Sequence, residues 1–480
     1  MGKGGLLDLV AHGVQDIYLI GNPNYSYFKK VYKRHTNFVQ ESIKCVANGT
    51  SNFGEKVTLT VPRNGDLLST VFIEVDLPEL TGSGEDSLHS ISYVSNIGQA
   101  LIEYVELKIG GQTIDKQYTE WMYIWNQLTL GSPKVREYNE MIKSTASNGP
   151  MTVYIPLQFW FCRDIANALP LVALQYHVVE IDVKFRPLEK LYNFGSIQYY
   201  DLEYVQPYLH NGVQLYQYQR TAGDLFTSDI DGKTLVYNNG GSTTPIVFIQ
   251  GDNDKIYLSV QLTDGIERAY VQHNYTLVGA PEITDVRFYL DFIYLDTVER
   301  SYFAKEEHRY LIEQVQYSDP VGVATSELTK AINLTFNLPV KELFWVCQND
   351  EVLAHNEILK FSNSLDTSYE NNTDDIITAK LQYNGDDRFE NRSGEYFRLI
   401  QPFKHHRQSV FDKYIYVYSL ALKPEDHQPS GASNFSKIDT AKLEFTLRNT
   451  RPYTSTIKVY AMNYNILRIA KGMAGIAFAN

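Results

Sequence analysis

Val105-Glu-Leu-Lys-Ile-Gly-Gly-Gln-Thr-Ile-Asp115 and Ala379-Lys-Leu-Gln-Tyr-Asn-Gly-Asp-Asp-Arg-Phe389 lie 274 positions apart and carry one pattern. Each is an alternating apolar/polar run that enters a two-residue turn, Gly110-Gly111 in the first and Asn384-Gly385 in the second. Both pairs tolerate positive φ, the requirement of a tight β-hairpin. A second echo follows in the same order. Val179, Ile181, Val183 and Phe185 share one strand face, as do Ala441, Leu443, Phe445 and Leu447. A third pair closes each half, Val286-Arg-Phe-Tyr-Leu290 and Ile457-Lys-Val-Tyr-Ala461. One such match means little, because every half-buried strand alternates. Three in collinear order predict two similar β-domains in tandem.

The chain has 480 residues, enough for two or three domains with sizeable cores and no metal or disulfide staples. Its 36 tyrosines favour strands over helices. A formal charge of −13 gives no global attraction to nucleic acid, so direct nucleic-acid binding is not expected. Cys45, Cys162 and Cys347 are too few and too far apart for a disulfide framework or a zinc motif, and are expected to be buried, reduced thiols. Leu6–Ile20 is interrupted by Asp8, His12 and Asp16 and does not read as a secretory leader. Leu6 stands where a myristoylation motif needs Ser or Thr. A soluble chain is expected.

Residues 1–26 read as an arm with a short amphipathic helix around Leu6–Val14. Lys29, Lys30, Lys33 and Arg34 then form a basic cluster, either a solvated helix face or a contact for an acidic neighbour or an anionic lipid surface. The first β-domain is expected over 27–300, with strands at Val57–Val61, Val71–Leu77, Leu101–Ile109 and 176–186, and a continuous apolar strand at Tyr154–Cys162. Residues 187–284, turn-rich and without a counterpart in the second half, read as an insertion with its own small sheet. Slow growth of loop-closure entropy tolerates an insertion of this size at a surface loop. Residues 296–310 make a helix-compatible linker, 301–480 the second β-domain, and the polar stretch Ser362–Asp375 its loosest loop. Domains of about eight antiparallel strands are sandwiches or jelly rolls, and pattern alone does not separate the two.

No catalytic signature emerges. There is no phosphate loop, no Gly-x-Ser-x-Gly elbow and no His-Glu-x-x-His. His405-His406 is the only histidine pair, and neighbours on a strand point to opposite faces. Asp252/Asp254 and Asp386/Asp387 read as solvated turn carboxylates, and Asp229-Ile-Asp231-Gly232 lacks the full ligand series of a calcium loop. No catalytic residue, metal site or cofactor is expected. Seven Asn-x-Ser/Thr sequons, among them Asn48 and Asn333, predict little in so Asn-rich a chain.

Several segments resemble the major capsid proteins of large icosahedral double-stranded DNA viruses of eukaryotes, such as the phycodnavirus and iridovirus relatives. They are Gln15–Pro23, Phe28–Phe38, Arg63–Leu67, Ile109–Asp115 and Leu169–His177 in the first half. Leu295–Arg300, Tyr310–Gln314, Pro429–Ser436, Asn463–Arg468 and Gly472–Gly475 follow in the second. The resemblance implies an all-β double jelly roll of two eight-stranded sandwiches, here with a β-rich insertion in the first. It implies a homotrimer with a pseudo-hexagonal outline that tiles a capsid face beside neighbouring capsomers, in a virion assembled in the host cytoplasm. It also implies an outward tower of loops at one end and an N-terminal arm at the inner base. Lys29, Lys30, Lys33 and Arg34 would then meet minor capsid proteins or an internal membrane. The insertion is longer than in shorter relatives, and on strand order it falls in the tower. The alternative from another class is a β-sandwich that binds glycans or a receptor, with loop aromatics of the insertion as its contact surface.

Overall fold

The computed structural model describes residues 4–478 except 84–90, 195–198, 211–212, 223–233, 238–241, 248–253, 260, 263–265, 273–275, 363–373, 409–410, 450 and 452. Most of the expected insertion turns, the Asp252 and Asp229/Asp231 carboxylates, and most of the Ser362–Asp375 loop lie outside the described residues. The chain forms two units, Met1–Phe38 and Val39–Asn480.

Within the larger unit, sixteen strands build two copies of one topology. The first copy comprises β1 (Phe38–Cys45), β2 (Lys56–Thr60), β3 (Leu67–Leu77), β4 (Ile102–Ile109), β5 (Gln112–Tyr118), β6 (Met151–Pro156), β7 (Val179–Phe185) and β8 (Asp285–Leu295). The second comprises β9 (His308–Tyr317), β10 (Thr329–Leu334), β11 (Pro339–Asn349), β12 (Ile376–Tyr383), β13 (Asp386–Ser393), β14 (Tyr416–Ser419), β15 (Ala441–Leu447) and β16 (Ser455–Ala470). The first half has sheets ordered β1-β8-β3-β6 and β2-β7-β4-β5, and the second β9-β16-β11-β14 and β10-β15-β12-β13. Each strand of the second copy occupies the place of the strand eight earlier. Two antiparallel sheets, each built on four main strands crossing over in this order, make a jelly roll.

The three sequence echoes fall on equivalent strands: β4/β5 with β12/β13, β7 with β15, and β8 with β16. Gly110 and Gly111 have φ of 58° and 80°, Asn384 and Gly385 of 52° and 93°, so both hairpins close with positive φ at both turn positions. A Cβ on Gly110 would stand 2.5 Å from His177 Nδ1, which adds a steric demand to the backbone one.

The inward faces fill each barrel. Val71, Ile73 and Val75 of β3 pack with Phe288 and Leu290 of β8 in the first. Leu343, Trp345 and Cys347 of β11 pack with Ile457, Val459 and Ala461 of β16 in the second. Polar residues are buried on the outward sheet faces where they are paired. Asp182 of β7 accepts from Thr58 and Lys108 and lies 2.8 Å from Lys56. Burial alone would raise its carboxyl; these partners bring it down to about 2.

Three expectations change. The apolar run Tyr154–Cys162 is not one strand, because β6 stops at Pro156 and Trp160–Arg163 forms a helical turn. Proline ends the ladder by removing a donor, and the aromatic residues that follow are buried for packing rather than pairing. The arm helix is Gly4–Val10, shorter than the expected Leu6–Val14. The insertion between β7 and β8 is more than a small sheet. Six of its strands close into a barrel in the order Tyr199–His210, Val213–Ala222, Lys255–Leu258, Ser242–Val247, Thr234–Tyr237, Ile266–Gln272. Closure removes the exposed edges that an isolated sheet would present. Leu202, Tyr218, Leu235, Ile246, Ile256 and Leu258 share its core. The Leu262 amide donates to the Tyr218 hydroxyl at 2.6 Å.

Candidate functional site

The basic cluster of the unit Met1–Phe38 stands apart from any helix. Lys29, Lys30, Lys33 and Arg34 are exposed, and residues 30–37 form neither helix nor strand, so the helix-face reading of the cluster does not hold. Upstream, Leu6, Leu7, Leu9 and Val10 on Gly4–Val10, and Ile17, Leu19 and Ile20 on Ile17–Ile20, are exposed. Within its own unit the arm thus presents apolar side chains followed by cations.

A second concentration of polar chemistry lies where the two jelly rolls meet. It is built on a helix, α1 (Thr119–Thr129), that follows β5 directly and is buried from Thr119 to Leu128. Met122 and Ile124 belong to the large apolar cluster, and that cluster continues into Phe344, Val346, Tyr460 and Met462 on the outward face of the second jelly roll. Trp125 stacks on Trp121 with centroids 5.9 Å apart and meets Phe344 edge-on at 6.3 Å. Lys458 of β16 reaches Glu120 at 2.8 Å. Burial would raise the Glu120 carboxyl, but Lys458 and Arg186 hold it below the usual range.

Beneath Trp125, two cations share one carboxylate. Arg163 lies 2.5 Å from Glu313, and Lys341 donates to the other oxygen of the same carboxylate. The Lys341 ammonium also donates to the Pro424 carbonyl at 2.6 Å. Burial pulls Lys341 below the ordinary lysine range, opposed by Glu313. Both cations also face the Trp125 ring, Arg163 at 4.8 Å and Lys341 at 5.7 Å. Next to them Asp115 accepts from the Val315 amide at 3.0 Å and from Gln117 at 2.7 Å. Burial pushes its carboxyl up to about 6 in spite of these bonds. The turn Trp160–Arg163, misread from sequence as strand, is what delivers Arg163 to this seam.

His406 has an unexpected place. It follows the short helix Gln401–His405, not a strand, and its buried ring lies between two carboxylates, Glu342 on Nε2 at 2.9 Å and Glu425 on Nδ1 at 3.1 Å. His405 points elsewhere, to the Leu422 carbonyl at 3.1 Å. The two glutamates engage opposite ring edges, so they do not converge on one cation position. Among the described residues no group of three metal-ligating side chains occurs. Burial would lower the His406 pKa, but Glu342 and Glu425 raise it to about 9. A folded-state pKa above the ordinary 6.5 means that His406 contributes stability fully below about pH 6.5 and loses it as pH rises through about 9. The stability gap between the wild type and His406→Gln is therefore expected to shrink by a few kcal/mol between neutral pH and pH above about 9, measured by urea denaturation. A gap that stays constant would contradict a charged His406.

Cys45 and Cys347 are buried and Cys162 half-buried, all three are free, and burial pushes Cys162 up to about 12.

Comparison with known proteins fits this geometry. Residues 26–211 match the family model for the major capsid protein N-terminus, and residues 299–475 the model for the large eukaryotic DNA virus major capsid protein. The major capsid protein of Pyramimonas orientalis virus is 35% identical over 99% of this chain and 100% of its own length. Probable capsid protein 4 of Acanthamoeba polyphaga mimivirus is 35% identical over 99% of each chain. The quasi-atomic model of the PBCV-1 virus capsid contains a chain 28% identical, with a TM-score of 0.66 over 95% of this chain and 100% of that one. Matched along nearly its whole length, in sequence and in the double jelly roll itself, the chain belongs to the major capsid protein family of large eukaryotic DNA viruses.

Proposed function

We propose that three copies of this chain join into a capsomer of six jelly rolls with a pseudo-hexagonal outline, and that such capsomers tile the faces of an icosahedral shell. As a capsid protein the chain is a component of the virion. The observation that carries the reading is the repeated strand order of the two sandwiches. Two blocks of one topology per chain supply sixfold-like packing from threefold symmetry, and closed symmetry of this kind limits assembly to a defined block. In this reading residues 1–26 are an arm, 27–300 a first jelly roll with the insertion at about 187–284, and 301–480 a second. The insertion belongs to the outward tower, and assembly proceeds in the host cytoplasm. Electron microscopy of the purified chain tests it: particles with a six-lobed outline support the capsomer, and isolated two-lobed particles oppose it.

The exposed apolar residues of the arm, followed by Lys29, Lys30, Lys33 and Arg34, suit contact with minor capsid proteins or an anionic internal membrane at the inner face. Deleting residues 1–26 is expected to leave the capsomer mass unchanged and to reduce the yield of closed shells. Normal particle yield from the truncated chain, scored by sedimentation and microscopy, would refute a role for the arm.

A further inference from the structure

The two jelly rolls have the same topology but are not covered in the same way, and the differences are complementary. In the second, the sheet β9-β16-β11-β14 is covered on its outward side, and β11 is buried at every position from Val340 to Asn349. In the first, the equivalent β3 alternates, with Val71, Ile73 and Val75 buried and Phe72, Glu74 and Asp76 only partly covered on the outward face. The helices show the reverse. Helix α1, after β5, is buried on all sides. The helical segment Tyr396–His405 holds the same place after β13; Phe397 enters its own core, but Glu395, Ile400, Phe403 and Lys404 are exposed, Phe403 at 81%. Among the described residues, each half lacks the cover that its counterpart receives inside the chain.

Counting from the strand ends makes the correspondence specific. Trp125 is seven residues past β5, as Ile400 is past β13; Glu120 matches Glu395 and Leu128 matches Phe403. On the sheet side, Phe344 pairs with Tyr460 across β11/β16 as Phe72 pairs with Tyr289 across β3/β8. Lys458, one residue past Ile457, matches Arg287, one past Val286. The seam inside the chain joins Trp125 to Phe344 and Glu120 to Lys458. Among the described residues the counterparts of all four form no such seam within the chain: Ile400 and Glu395 on one side, Phe72 and Arg287 on the other.

We propose that the helical segment Tyr396–His405 of one copy docks on the outward face of β8, β3 and β6 in the next copy, repeating between chains the seam that joins the jelly rolls within a chain. This rests on the trimeric reading and specifies its contact surfaces. Ile400 and Phe403 are the apolar anchors, received by Phe72, Tyr289 and Tyr154, the last 42% exposed on the same face. Charge agrees as well. Glu74, Asp76 and Asp285 outnumber the Arg287 they surround, while the helical side carries exposed Arg388, Arg392 and Lys404 beside Glu390 and Glu395. An opposite excess on two facing surfaces steers encounter and penalises like-on-like pairing. Because the contact is head-to-tail, copies add in one direction until a ring closes.

The test places Phe72→Cys and Ile400→Cys in one full-length chain and adds a short bis-maleimide cross-linker, with each single variant as a control. The expected result is a covalent species of three chains on a denaturing gel for the double variant and none for either single variant. Phe403→Asp, at an exposed position that the fold tolerates, is expected to weaken trimer formation at least tenfold by light scattering against concentration. A wild-type trimer that gives no double-variant cross-link and is unaffected by Phe403→Asp would overturn this seam while leaving trimerisation intact. A wild-type chain that stays monomeric would overturn both.

Discussion

Glu313→Gln is expected to destabilise the larger unit by about 3–5 kcal/mol, the cost of leaving buried charge uncompensated. Arg163 and Lys341 meet on the Glu313 carboxylate in a setting where Lys341 is 0% exposed at its side chain. Neutralising the carboxylate keeps its shape and removes the one anion that, among the described residues, both cations contact. Lys341 cannot turn to water without opening the seam, and Trp125 faces both cations while Arg163 keeps 14% of its side chain exposed. Denaturant unfolding of the single variant measures the loss. The companion triple replacement Arg163→Met, Glu313→Leu, Lys341→Met is expected to be far milder, since apolar groups of similar size remove the desolvation penalty along with the attraction. A Glu313→Gln protein as stable as the wild type would show that Glu313 is not what compensates Arg163 and Lys341 in the folded state.

Trp345→Ala is expected to cost a comparable amount, about 3–5 kcal/mol, by a different mechanism. Trp345 is fully buried in the second jelly roll, stacked on Tyr416 with centroids 6.2 Å apart and flanked by Phe397 at 5.0 Å and Phe445 at 6.1 Å. These rings come from four different elements, β11, β14, β15 and the helical segment, so collapse around the gap would need all four to move. The cavity therefore stays open, and lost transfer energy and lost packing add. Amide exchange should quicken first in β11, β14 and β15. Unchanged protection in those strands would mean that the core repacks around alanine.

What the sequence made legible follows from the range of each signal. The hairpins at Gly110-Gly111 and Asn384-Gly385 are local, since two positive-φ residues between alternating runs leave little choice of turn. The duplication was readable because β4, β7 and β8 each kept their inward faces in β12, β15 and β16. Pairing order was not readable, because it depends on partners more than a hundred residues away, as with β3 and β8. The same limit hid the closure of the insertion into a barrel. Tyr154–Cys162 misled because an apolar run fits a buried strand and a buried turn equally well; Pro156 was the available warning. The seam was least visible. Arg163, Glu313 and Lys341 look like ordinary surface charges in one dimension, and only the apolar stretch following Lys341-Glu342, through Leu343-Phe-Trp-Val-Cys347, hinted that both are buried. The strands said little of His406, which depends on Glu342 and Glu425 converging from two separate segments.

The central claim is that duplication within the chain exists to build a closed ring between chains. The solution mass of the purified full-length protein, by light scattering after gel filtration, tests it most directly. A stable species of three 55.0 kDa chains is predicted. A single 55.0 kDa species across the concentration range, with both jelly rolls folded, would contradict it.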